Sequence, residues 1–244
     1  MSKILIFIPC YNVERKIKKV FHKLPSKVLK NDKIKLLFID DNSKDNTLKI
    51  IKKIKKNYKK KIQILSNSKN YGYGYVQKTA FQYSIKNNFD IVLMLHGDNQ
   101  YPADKVIKIL DQFRIKKNNA VFGTRMHSIT SAFKGGMPMY KIIGNKLLTF
   151  LQNFILGSKM SEFHSGFRAY RVNSLKKIKF QNNSNKFHFD TEIIIQFIKK
   201  GYQIKEVPMP TYYGDEVSHL KSIPYGLNII KSTLKYKFSK KSYD

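Results

Sequence analysis

Cysteine occurs once, at Cys10, so the chain cannot form an internal disulfide and offers no cysteine-based zinc site. A reducing cytoplasm is the simplest setting for such a chain. No stretch approaches the ~20 apolar residues that a membrane-spanning helix needs. The opening apolar run is short and breaks at Pro9, which makes it a first strand better than a signal peptide. Internal repeats and low-complexity linkers are lacking too. Acid is scarce: 16 Asp and Glu stand against 47 Lys and Arg in 244 residues, a formal net charge of +31. That excess has two readings, attraction to nucleic acid or anionic membranes, or a solvated surface written largely in lysine. The lysines are scattered over many amphipathic segments and are not gathered with aromatics into one module, so no nucleic-acid partner is expected. With acid so rare, its clusters are the informative positions.

What is present is enough for a core. Hydrophobic residues make up 42% of the chain, and its length suits one α/β domain or two small ones. Strand patterns at Lys3 to Ile8, Ile34 to Ile39, Lys61 to Leu65, Ile91 to Leu95 and Ala120 to Gly123 alternate with helical ones. The latter run over Val13 to Leu29, Asp45 to Asn57, Tyr73 to Lys86 and Pro102 to Lys117. This βαβ series predicts a parallel sheet with right-handed crossovers. The second half is less regular. Thr124 to Met139 reads as a long loop, Tyr140 to Leu156 as an apolar helix and Gly166 to Arg171 as a strand. Asp190 to Lys200 follows as a helix stopped by Gly201, then a strand from Ile204 to Val207, and helix again from Tyr225.

Ile91 to Leu95 reads as a strand buried on both faces, and it ends in a polar tip, His96-Gly97-Asp98-Asn99-Gln100, before Pro102. A carboxylate fixed at a strand end beside a glycine suits a divalent metal carrying phosphates; the plainer alternative is a solvated loop before a helix. Two other tips are polar, Pro9-Cys10-Tyr11-Asn12 and Asp40-Asp41-Asn42-Ser43. With strand order 3-2-1-4, all three converge on one cleft at the point where the order reverses. Asp40 or Asp41 can accept hydrogen bonds from a nucleobase edge, or cap the next helix as Ser43 and Asp45 can; one acid binding and one capping is the expectation. Asn70-Tyr71-Gly72-Tyr73-Gly74 fails as a dinucleotide fingerprint, since Gln77 holds the third glycine's place, yet it can approach a phosphate.

Taken in order, Ile8-Pro9-Cys10-Tyr11-Asn12-Val13-Glu14, Ile39 to Thr47, Asn70 to Gly74, His96 to Pro102, Gly123-Thr124-Arg125 and Ser165-Gly166-Phe167-Arg168 resemble the signature of family-2 glycosyltransferases. The resemblance is closest to the polyprenyl-phosphate branch typified by dolichol-phosphate mannosyltransferases, and it extends to about Ser218. It implies a GT-A fold: an open, mostly parallel twisted α/β sheet flanked by helices, with a nucleotide-binding half and an acceptor half. It further implies a nucleotide-sugar donor, GDP-mannose or a UDP-sugar. Pro9, Tyr11, Asp40 and Asp41 would hold the nucleoside, with Asn12, Glu14, Asn70 and Gly74 also on the donor, and Asp98 and Gln100 would hold Mg2+ or Mn2+. Three positions depart from the family's pattern. His96 stands where an aspartate usually opens Asp-x-Asp, and either ligates the metal or supports the site. Glu162 replaces an aspartate, and Lys141 is the nearest base to an absent arginine.

Arg125, Lys141 and Arg168 are candidates for binding an acceptor, the guanidinium groups because each can pair with two phosphate oxygens at once. A structural ion pair between Arg168 and Glu162 is the alternative. Asp190 and Glu192 open a helix, where Asp190 either caps it or, as in the wider family, one acid acts as a base. The implied reaction is displacement at the anomeric carbon with inversion onto a polyprenyl phosphate, the alternative acceptor being a sugar hydroxyl of a glycan or glycolipid, which would need that base. Asp98 and Arg125 complete the catalytic candidates. A sugar nucleotidyltransferase would show a glycine-rich basic loop after the first strand, and Pro9 to Asn12 is not one. Residues 1–218 are thus expected to be the transferase domain and 219–244 a basic amphipathic tail. In that tail Leu227, Ile230, Leu234 and Phe238 form a stripe flanked by Lys231, Lys235 and Lys237. The stripe either lies in an anionic membrane surface or packs on the domain, and Tyr140 to Leu156 has the same two readings. A cytoplasmic protein, peripheral on the inner face of the membrane, is the resulting expectation.

Overall fold

The structure, a computed structural model, describes residues 2–211 and 222–238. The chain alternates β1 (Ile4–Cys10), α1 (Glu14–His22), α2 (Ser26–Lys30), β2 (Ile34–Asp40), α3 (Thr47–Asn57), β3 (Ile62–Ser66), α4 (Tyr73–Lys86), β4 (Ile91–Met94), α5 (Val106–Asp111) and β5 (Asn118–Thr124). Then come α6 (Ile129–Lys134), α7 (Met139–Leu156), β6 (Arg168–Arg171), α8 (Val172–Leu175), α9 (Phe189–Lys199), β7 (Gln203–Pro208) and α10 (Ser222–Phe238). The seven strands form one sheet in the order β3-β2-β1-β4-β6-β5-β7. All pairs are parallel except those of β6, which runs antiparallel to both β4 and β5. The order reverses between β1 and β4, as the sequence predicts.

Both sheet faces are covered, which is why the strands read as apolar runs. Ile6, Ile8, Phe38 and Leu93 point to one side, under Ile17, Val20 and Phe21 of α1 and Ile109 of α5. Their neighbours Leu5, Phe7, Leu37 and Val92 point to the other, under Phe81 of α4 and Ile194 and Phe197 of α9. Strand alternation therefore supplies two cores, one on each face.

Several boundaries differ from expectation. The helix over 13–29 is broken into α1 and α2, because Pro25 cannot continue a helix and the residue stands just ahead of α2. The expected loop over 124–139 contains α6, capped by Ser128 Oγ, which accepts from Ser131 N. His188 stands at the N-cap of α9, so Asp190 lies inside the first turn and does not cap it. The expected domain edge at Ser218 lies outside the described residues, as does the side chain of Phe238. Among the described part of α10, Ile229 and Thr233 are buried, while Leu227 and Leu234 of the expected stripe face outward.

Candidate active site

The three strand tips converge as the topology requires. They frame a cleft of about 500 Å³ whose walls include Pro9, Tyr11, Asn12, Glu14, Asp41, Asn70, Tyr73, His96, Asp98, Gln100 and Phe187. That is a volume suited to a small-molecule ligand. Each tip turns through an asparagine in the left-handed region, Asn12 (φ 52°), Asn42 (φ 62°) and Asn99 (φ 65°). Asparagine is the side-chain-bearing residue that enters this region most readily.

The first two tips are laced together. Glu14 Oε2 accepts from Asn46 N at 2.8 Å, and Asn12 Oδ1 from Lys44 N at 2.8 Å. Neither Asp40 nor Asp41 caps α3; Asn46 stands at its N-cap without a side-chain cap bond, and Asp45 Oδ1, one residue earlier, accepts from Thr47 N at 2.9 Å. Asp40 is buried and takes Ser43 N at 3.3 Å, with Oδ1 buried and unpartnered among the described residues. Asp41 holds the loop after β3, accepting from Asn67 Nδ2 (2.7 Å), Tyr71 N (3.0 Å) and Gly72 N (2.9 Å). Gly74 stands off the cleft wall: its N–H donates to Asn185 O, and a Cβ there would meet Phe189 Cβ at 2.9 Å. The glycine needed for close approach thus serves the 184–189 segment, and Gly72 is the one that lines the cleft.

At the central tip Asp98 Oδ1 accepts from Gln100 N at 3.0 Å, and both residues line the cleft. His96 lines the same cleft, close enough to Asp98 to feel its charge. Its Nε2 meets Tyr73 OH at 3.4 Å, and its ring lies against Gly166, where any Cβ would collide with it. Burial holds the imidazole below its usual pKa, favouring the neutral ring. No group of three metal-ligating side chains occurs among the described residues. The donor set at this tip is a carboxylate with an amide, which suits a hard divalent ion that takes its remaining ligands from a diphosphate.

Behind the cleft lie two buried ion pairs, and neither is the Arg168–Glu162 pair offered as an alternative from sequence. Glu162 pairs with Arg125 (Nη2–Oε1 3.0 Å), not with Arg168. It also accepts from Arg125 N at 2.7 Å and Asn145 Nδ2 at 3.2 Å. Burial alone would raise the Glu162 pKa; Arg125 and these donors outweigh it and hold the acid below its usual value. Arg168, 0% exposed, donates from Nη1 to Asp190 O at 2.9 Å and from Nη2 to Phe163 O at 2.7 Å, with Asp190 Oδ1 3.5 Å away. Asp190 also accepts from Tyr73 OH (3.1 Å) and Gln77 Nε2 (2.8 Å). Glu192 accepts from Ser184 N at 2.6 Å, and burial raises its pKa. The expected acceptor site is therefore not brought together as an open set. Arg168 sits wholly in the interior, Arg125 is nearly buried over the Tyr101 ring, and Lys141 stands in the first turn of α7.

Reasoning from sequence misses Tyr73, which joins His96 to Asp190, and Phe187, whose ring stacks on Tyr73 at 5.1 Å. Tyr73 had a signal, its place between two glycines ahead of a helix. Phe187 had none. Tyr225 of α10 is missed as well; its hydroxyl lies 3.2 Å from His164 Nδ1, which ties α10 to the residue preceding Ser165.

Comparison with known proteins fits this geometry. The model of "Glycosyl transferase family 2" matches residues 5–179. The chain belongs to that family. The glycosyltransferase is 27% identical over 249 residues to UDP-N-acetylglucosamine--dolichyl-phosphate N-acetylglucosaminyltransferase of Methanococcus voltae, covering 97% of each chain. It is 20% identical over 213 residues to polyprenol monophosphomannose synthase of Mycolicibacterium smegmatis, covering 85% of this chain and 77% of that one. Among solved structures, glucosyl-3-phosphoglycerate synthase of Mycobacterium tuberculosis in complex with Mn2+, UDP and glucosyl-3-phosphoglycerate superposes with a TM-score of 0.68 at 14% identity, over 96% of this chain and 80% of that one. The fold is accordingly GT-A, and the enzyme a transferase of glycosyl groups. No helix among the described residues is long and apolar enough to cross a membrane.

Proposed function

We propose that this glycosyltransferase moves a sugar, with inversion, from a nucleotide-sugar to a polyprenyl phosphate. The observation that carries this reading is the use already made of the two acids that could act as a base. Asp190 is committed to Arg168, Tyr73 and Gln77, and Glu192 to the Ser184 amide. A hydroxyl acceptor needs a base within hydrogen-bond reach, whereas a phosphate is already ionised near neutral pH and needs none. The names of the dolichyl-phosphate and polyprenol relatives support the same acceptor.

In this reading the donor's nucleoside lies along Pro9, Tyr11 and Asp41, and its diphosphate near Asp98. Mg2+ or Mn2+ held by Asp98 and Gln100 would neutralise charge on the leaving diphosphate. Asp41 ties the Asn67 to Gly72 loop over the nucleoside side, and His96 with Tyr73 braces the central tip from behind. Arg125, steered by Glu162 and Tyr101, supplies positive potential on the acceptor side. The protein would work at the cytoplasmic face of a membrane, where such acceptors are embedded.

The test is a matrix of nucleotide-sugars against short-chain polyprenyl phosphate, the matching polyprenol and free glycans, each with manganese or magnesium. A polyprenyl-phosphate sugar of inverted anomeric configuration is expected. Transfer to a hydroxyl acceptor, with the polyprenyl phosphate ignored, would overturn the proposal.

A further inference from the structure

Helix α7 is amphipathic in an unusual sense: its unburied face is apolar. Tyr140, Ile143, Leu147, Phe150 and Phe154 are all exposed, Phe150 by 70% and Phe154 by 75%. At 100° per residue these five positions fall within an arc of about 80°. The opposite side holds the buried residues Ile142, Thr149, Gln152 and Leu156. Phe133 of α6 and Leu227 of α10 are exposed as well, at 57% and 63%. Helix α10 lies against α7, with Gly226 about 3.9 Å, at its Cβ position, from Leu148 Cδ1. Soluble surfaces seldom carry so many large apolar side chains on one helix face, so the face has a partner.

Charge decides which. From Met126 to Ser161 the chain holds no acid, while Lys134, Lys141, Lys146 and Lys159 fall in that span. Residues 222–238 are likewise free of acid and carry three lysines. A second copy of this chain would set two acid-free lysine surfaces against each other without counter-charge. An anionic lipid surface supplies that charge and receives the aromatic stripe among its acyl chains. We propose that the outer face of α7, with the neighbouring side of α10, is the surface by which this enzyme seats itself on an anionic bilayer. The main seat is thus α7 rather than the C-terminal stripe alone. The inner side of the same helix reaches the site: Asn145 Nδ2 donates to Glu162, the partner of Arg125, and Lys146 Nζ donates to Met126 O at 3.1 Å. Seating α7 on the bilayer therefore sets the Arg125 side of the cleft close to the lipid headgroups, a consequence that rests on the polyprenyl-phosphate reading; the docking itself does not.

The experiment is flotation of the full chain with vesicles about one-third phosphatidylglycerol in phosphatidylcholine, at rising salt. The chain should float with these vesicles, less so as salt rises, and weakly with phosphatidylcholine alone. Phe150→Ser with Phe154→Ser removes only exposed rings; the melting curve should be unchanged and binding at least ~10-fold weaker. Failure of the full chain to float with anionic vesicles overturns the proposal, as does a double variant that floats as well as the parent. A concentration-dependent dimer in sedimentation velocity that the double variant abolishes would overturn it too, by giving the face to a second copy. No sugar transfer enters the measurement, so failure of the acceptor assignment leaves this result standing, and transfer to a short-chain acceptor in solution judges that assignment separately.

Discussion

Asp190→Asn separates a structural anchor from a catalytic base. Arg168 is the largest fully buried side chain, and Asp190 is the carboxylate that faces it, at 3.5 Å. Removing the negative charge leaves a guanidinium in the interior with neutral partners, the carbonyls of Ser165, Phe163 and Asp190 and the Phe122 ring. Breaking a buried pair in this way costs about 3–5 kcal/mol, and the amide also turns one donor toward Tyr73 or Gln77. We take the low end, about 3 kcal/mol, because the amide keeps one acceptor and Arg168 keeps its carbonyls. For a chain of this size that is a fall of about 6–12 °C in Tm. Urea unfolding followed by circular dichroism measures it. Arg168→Met on top of Asp190→Asn removes the stranded cation, so the double variant should lose less than the sum of the single losses. If Asp190→Asn melts within about 2 °C of the parent while transfer falls more than ~100-fold, Asp190 is a base and the acceptor is a hydroxyl.

Asp98→Asn should fold normally and lose at least ~100-fold in turnover, about 3 kcal/mol of transition-state stabilisation, with donor binding no longer responsive to manganese in titration calorimetry. His96→Ala should lower turnover through a slackened loop, yet leave the half-saturating manganese concentration nearly unchanged, because the ring is engaged by Tyr73 and packed against Gly166; a large rise would make it a ligand. Burial pushes the His164 imidazole down to about 4. The unfolded chain, with histidine near 6.5, therefore binds more protons below that pH, so stability falls as pH drops through 6.5 and levels off under about 4, a loss of about 2 kcal/mol by pH 5. Comparing urea midpoints at the two ends of that range, His164→Gln should flatten this part of the profile. Gly74→Ala should destabilise by about 2 kcal/mol, since its Cβ would strike the Asn185 backbone and Phe189, and denaturant unfolding would show it.

The architecture was legible because it rests on periodicity. Double-faced apolar strands and the alternating helices give the sheet; the order 3-2-1-4, a supposition from sequence, is what makes the three tips converge. The edges of helices were less so, for local reasons such as Pro25 splitting one helix and Ser128 starting another inside an expected loop. Side-chain direction was not legible at all. Nothing in His96-Gly97-Asp98 says that the ring turns back toward Tyr73, because the cause is Gly166, seventy positions on, which leaves room for it. The arginines show the same limit. Glu162 stands six residues before Arg168, which made a local pair the alternative to acceptor binding, yet the end of β5 brings Arg125 to it instead.

The scarcity of acid acquires a physical meaning once those pairs are placed. Acids in and behind the cleft do two kinds of work. Asp40, Asp41 and Glu14 accept backbone N–H groups and hold the loops that frame the cleft, while Glu162 and Asp190 neutralise guanidinium groups behind it. Neither set can become lysine or asparagine cheaply: the first would leave turn amides unsatisfied, the second would leave buried cations unpaired. On the exposed face of α7 no such constraint operates, and there acid is absent altogether. A drift of the surface toward lysine would therefore spare the two buried sets and spread freely over the outer helices. The buried acids mark where the fold needs negative charge, and the acid-free span from 126 to 161 is the one that carries the exposed apolar face of α7.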